Sequence, residues 1–177
     1  MEVIIFNEVF LKNPGREEFR QLIKEKNPER IIIIPSTVKG ELPVKSAIVE
    51  GILDQPVKFL ELEKNSIQEK DEEIDVEAAI KSKVLELGIQ SVRDYVSDYL
   101  SDVNSLNSEI TYTLYRAYFK FYEAALGNEY SKKFENKRKG YLSKIRKFKP
   151  GKRDILLTSE EDAYWYIDHI DELETNQ

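Results

Sequence analysis

Glu160, Glu161 and Asp162 stand in a row behind Ser159, and three adjacent carboxylates can hold a divalent cation or move a proton. A simpler account is also available. Acids in the first turn of a helix offset its macrodipole, and Ser159 with Asp162 three residues later has the spacing of an N-terminal capping box. The one histidine, His169, has Glu172 about a helical turn further on. Such a pair could act as a base or a metal ligand, but it more simply reads as a surface histidine beside a carboxylate. A third group, Ser36, Thr37, Lys39 and Gly40, offers hydroxyls, a cation and backbone donors after an apolar run, as an anionic ligand would need. Asn7 and Thr158 belong beside it if the runs that precede them are neighbouring strands. Turn and cap chemistry accounts for these residues equally well, and neither GxGxxG nor a Walker pattern supports a nucleotide site.

With no cysteine and a single histidine, no set of nucleophile, base and orienting group can be assembled. The expectation is therefore a non-catalytic module with no cofactor and no resident metal. The absence of cysteine fits a reducing cytoplasm, and no stretch approaches the apolar length of a membrane span. A cytoplasmic protein with no membrane partner is expected.

The elements that would position these residues alternate at first. "EVIIF" reads as a strand, and "NPGREEFRQLIKEKN" as a helix capped by Asn13 with Pro14 in its first turn. "RIIIIPS" reads as a strand buried on both faces, the pattern of a parallel sheet. A helix from Pro43 and a strand in "PVKFLEL" follow. Residues 1–62 thus form a β-α-β-α-β half. An acidic linker and a helical insertion occupy 63–150, and a last strand and helix in 151–177 return to complete the same domain. The fold class is α/β: a small, mainly parallel, Rossmann-like sheet of about four strands with a large helical insertion. Within the insertion, Val76, Ala79, Ile80, Val84 and Leu87 form a stripe ended by Gly88. A second helix opens behind a capping box of Ser91 and Asp94. The aromatic run from Tyr112 to Tyr122 reads as mostly buried, closing at Gly127, and packs inside the insertion or on a partner.

Charge is distributed unevenly. Residues 132–153 hold eleven cations and Glu135, a net +10, so the rest of a chain of net -6 carries -16. Phe134, Tyr141, Leu142, Ile145 and Phe148 recur there at helical spacing, which leaves Lys137, Lys139, Lys144, Arg146 and Lys147 to meet an anionic partner. A nucleic acid is the less favoured occupant, because the whole chain is acidic and carries none of the recognised modules. The acids of Glu61 to Glu77 are an internal rival for the same charge. Self-association or another protein, met through the aromatic helices, is the preferred class of partner. The Lys- and Glu-rich composition also matches that of thermophile proteins.

The stretch "ENKRKGYLSKIRKFKPGKRDILLTSEEDAYWYI" resembles the closing part of the TraB/PrgY family, whose fold is EreA/ChaN-like. That family ends with an arginine-bearing helix, a lysine-led strand and a Gly- and His-bearing turn into a last helix. Arg138 stands where the family has its arginine and Leu142 where it has methionine. The opening strand and "REEFRQLIKEKNPERIIII" share its layout. Where the family has Gly-Thr-x-His, this chain has Phe6, Asn7, Glu8 and Val9. Where it has a glutamate after the second strand, Pro35 and Ser36 stand, and its late histidine falls near Glu161. The resemblance implies a non-catalytic descendant; a divergent metal-dependent hydrolase would have to bind metal through Glu8, Glu160 and Glu161. The strand-helix beginning also resembles nucleotide-sensing CARF-type domains.

Overall fold

The computed structural model describes residues 1–37, 44–63 and 76–174. Four strands, β1 (Glu2–Ile5), β2 (Arg30–Ile33), β3 (Lys58–Glu61) and β4 (Asp154–Thr158), form one sheet. They lie in the order β1, β4, β2, β3, and every pairing is parallel. The isoleucine run explains the centre of this sheet. Ile31 to Ile34 are all fully buried, as a strand with two neighbours and covered faces requires. β4 is buried along its whole length, whereas β3, with Lys58 and Glu61 exposed, is an edge strand.

Helix α1 (Gly15–Lys26) joins β1 to β2, and the short α2 (Ser46–Glu50) joins β2 to β3. Pro14, not Asn13, occupies the N-cap position of α1; ahead of it Asn7 opens a short 3-10 turn at Glu8–Leu11 by accepting from the Val9 amide at 2.9 Å. Pro43 lies outside the described residues, and α2 begins at Ser46 behind Lys45. Phe19 of α1 stacks on Phe10 at 5.0 Å, and Phe6 meets both rings edge-on.

The insertion contains α3 (Val76–Tyr99), α4 (Val103–Leu106), α5 (Glu109–Leu126) and α6 (Asn128–Lys147). After β4 come α7 (Glu160–His169) and α8 (Asp171–Glu174). α5 touches α3, α6 and α7, and its Tyr115 and Phe119 are buried among them. Its close at Gly127 is as the sequence suggests, with φ +85° there. Two local readings are corrected. Gly88 does not end a helix: α3 runs through it, and Tyr118 Cε2 lies at ordinary contact distance, 3.5 Å, from where a Cβ would stand. Ser91 caps nothing, because it sits inside α3 and its hydroxyl donates back to the Leu87 carbonyl at 3.1 Å.

Candidate functional site

β4 ends at Thr158, and extended Ser159 turns the chain directly into α7. The three acids of the first turn of α7 are therefore delivered to the carboxyl edge of the sheet, where open parallel sheets place their ligands. All three are buried, at 6% exposure for Glu160 and none for Glu161 and Asp162. Each is met by donors from a different part of the chain.

Asp162 is the most heavily engaged. Its Oδ1 accepts from the Thr37 hydroxyl at 2.6 Å and from Arg138 Nε at 2.7 Å. Oδ2 accepts from the Thr37 amide at 2.8 Å and from the Ser159 hydroxyl at 3.3 Å. The Ser159–Asp162 spacing thus marks a real contact but not a capping box, since the Ser159 hydroxyl makes no bond to the helix backbone. Arg138 is itself buried on α6 and also donates to the Tyr164 hydroxyl at 3.0 Å. Its guanidinium lies 4.6 Å from the centre of the Phe119 ring, a cation-π contact in a dry setting. Burial opposes its charge, and Asp162 and Tyr164 beside it more than compensate, so its pKa is raised.

Glu160 accepts from Asn7 Nδ2 and from the Tyr115 hydroxyl, each at 2.5 Å. Burial pushes this carboxyl above its usual range, against the pull of those two bonds. Glu161 is paired with Arg93 of α3. The three acids thus fasten the loop after β1, the loop after β2, and α3, α5 and α6 to a single helical turn.

Of the residues marked in the sequence, the fold brings Asn7 and Thr37 onto this turn. Thr158 is adjacent and buried, and its hydroxyl has no hydrogen-bond partner among the described residues. Ser36 is half-buried next to Thr37, and Lys39 lies outside the described residues. Glu8 is exposed on the 3-10 turn, and no group of three metal-ligating side chains occurs among the described residues. His169 does not pair with Glu172. Its ring stacks on Trp165 at 4.0 Å and its Nδ1 donates to the Trp165 carbonyl at 2.7 Å, while Glu172 accepts from Arg146.

The basic stretch stays mostly at the surface, with eight of its eleven cations exposed, but several are paired within the molecule. Besides Arg138, Lys139 pairs with Glu135 and Arg146 with Glu172, each at 2.7 Å, and Lys144 reaches the Glu63 carbonyl at 3.4 Å. Lys139 and Arg146, seven residues apart, share one side of α6. Lys137 and Lys144 share another side roughly 160° round the helix, so these four do not make one face. Lys147 is exposed at the end of α6. The acids at 64–75 lie outside the described residues.

Sequence reasoning did not single out Arg93, Tyr115 or Tyr164. A signal for the first was present: Arg93 falls four residues after Ile89 and three before Val96, on the apolar side of its helix. Arg138 shows the same pattern between Phe134 and Tyr141, and the family resemblance had marked it. A cation on an apolar stripe needs a buried partner. No family model, curated protein or solved structure matches the chain.

Proposed function

We propose that this chain is a non-catalytic protein-binding module, in which the carboxyl edge of the sheet is a structural clasp and the helical insertion carries the working surface. One observation supports this most directly. Asp162 takes up the Thr37 amide and hydroxyl, the Ser159 hydroxyl and Arg138, the donors that an incoming anion would otherwise use. A carboxylate of the chain's own stands where a ligand's would. Descent from a TraB-like fold with its chemistry lost is consistent with this reading. The insertion, in contrast, presents large apolar side chains to solvent, among them Ile80, Leu87, Tyr99 and Phe121.

The test is a thermal-shift screen of inorganic phosphate, nucleotides and short RNA and DNA oligonucleotides at low and physiological salt. The expected result is an unchanged melting temperature throughout. A shift of several degrees that Lys39→Ala abolishes would replace this reading with a ligand sensor. One abolished by Lys144→Glu and Lys147→Glu would replace it with a polyanion-binding protein.

A further inference from the structure

Asp162 sits among donors that come from three parts of the chain. Its Oδ1 accepts from the Thr37 hydroxyl and Arg138 Nε, and its Oδ2 from the Thr37 amide and the Ser159 hydroxyl. Two donors thus meet each oxygen, the complement of a carboxylate. All three residues are buried, Thr37 at 6% exposure and Arg138 and Ser159 at 3%. These donors do not depend on Asp162 alone for their places. Arg138 also donates to the Tyr164 hydroxyl at 3.0 Å and to the Glu161 carbonyl at 3.4 Å, and its guanidinium lies over the Phe119 ring. Ser159 is the extended link from β4 into α7, whose dipole turns its positive end to the same place. The neighbouring acids are engaged elsewhere: Glu160 meets Asn7 and Tyr115, and Glu161 pairs with Arg93. Without Asp162 the donor set would hold one unanswered cation, Arg138.

We infer that Thr37, Ser159 and Arg138 form an oxyanion site for a small carboxylate, a site that the chain keeps filled with a carboxylate of its own. The inference rests on the reading above, in which Asp162 stands where a ligand's carboxylate would, and it assigns the ligand class. The donors select a monoanion with two oxygens a carboxylate's width apart. Phosphate, larger and more highly charged, exceeds both the room of a carboxyl group and the one cation that would answer it. A buried guanidinium with anchors of its own and a helix dipole fixed by the fold bind an anion without reorganising. A pocket that held Asp162 only by packing would instead collapse over the gap.

The experiment removes that carboxylate and returns it from solution. Asp162→Ala lacks a group the size of formate, and Asp162→Gly one the size of acetate. Their melting temperatures are followed in sodium formate, acetate, phosphate and chloride up to about 0.5 M, since a ligand that binds only the folded state stabilises it in proportion to the logarithm of its occupancy term. At equal ionic strength Asp162→Ala should gain several degrees in formate over chloride and less in acetate, and in Asp162→Gly acetate should close that gap. Wild type, treated alike, reports the general effect of each salt on folding. Phosphate should give the variants no more than it gives wild type. Asp162→Asn, which loses the same charge but fills the space, should respond to formate as wild type does, and so should Asp162→Ala combined with Arg138→Met. If Asp162→Ala is unfolded at room temperature, the same titration is read as recovery of helical circular dichroism. No gain in formate over chloride by either reading, or an equal gain in Asp162→Asn, overturns the site. An equal gain in phosphate overturns the ligand class, and one ranking of anions shared by the Ala and Gly variants would put the binding elsewhere. The non-catalytic reading is tested by the response of wild type to anions, so the two can fail independently.

Discussion

Arg138 keeps its charge at 3% exposure because Asp162, itself fully buried, is 2.7 Å away. Asp162→Ala leaves that cation without its carboxylate and should cost about 3–5 kcal/mol in urea titrations. Adding Arg138→Met should cost less than the two single losses together, and strict additivity would mean that the pair is uncoupled. Glu160 gives a prediction in pH. Its folded pKa is raised, so its contribution to stability is whole below the unfolded value near 4.3 and is lost as pH rises through the folded one. Glu160→Gln stays neutral, accepting from Asn7 and donating to the Tyr115 hydroxyl. Its melting temperature should therefore fall less than that of wild type between pH 4.5 and 7; parallel curves would rule the argument out. At this scale the sequence was half legible. The acids and Thr37 could be found by type and position, but which donor meets which acid depends on contacts such as Tyr115 with Glu160, 45 residues apart.

Elements were easier to read than their caps. The isoleucine run of β2 and the aromatic α5 follow from composition, because a strand or helix with so many apolar neighbours has nowhere to go but inward. Gly88 and Ser91 misled because local signals there yield to packing: the stripe from Val76 to Leu87 turns away from the core while Leu85 and Ile89, on either side of Gly88, turn toward it, so the helix runs on. An added Cβ at Gly88 meets the Tyr118 ring only at ordinary contact distance. Gly88→Ala should therefore stabilise α3 by about 0.5–1 kcal/mol, seen as a rise of roughly 1–4 °C in a calorimetric scan. A fall would mean that the α3–α5 approach tolerates no side chain.

For the whole molecule, the sequence showed the imbalance of charge but not its resolution. The +10 stretch reads as one surface for an anion, yet Arg138 is buried against Asp162 and Arg146 reaches Glu172, so part of its charge is answered within the molecule; exposed pairs of the latter kind add about 1 kcal/mol or less each. Strand order has a different consequence. β4 lies between β1 and β2, pairing Ile155 with Glu2 on one side and Ile31 on the other. As the chain leaves the ribosome, its first two strands are made about 120 residues before the one that separates them, and they must be held a strand's width apart or remain unpaired. The sheet is a zip closed by its last tooth. Closure of the sheet waits on the synthesis of β4, and until then β2 offers the edge that β4 will cover to any other strand in reach.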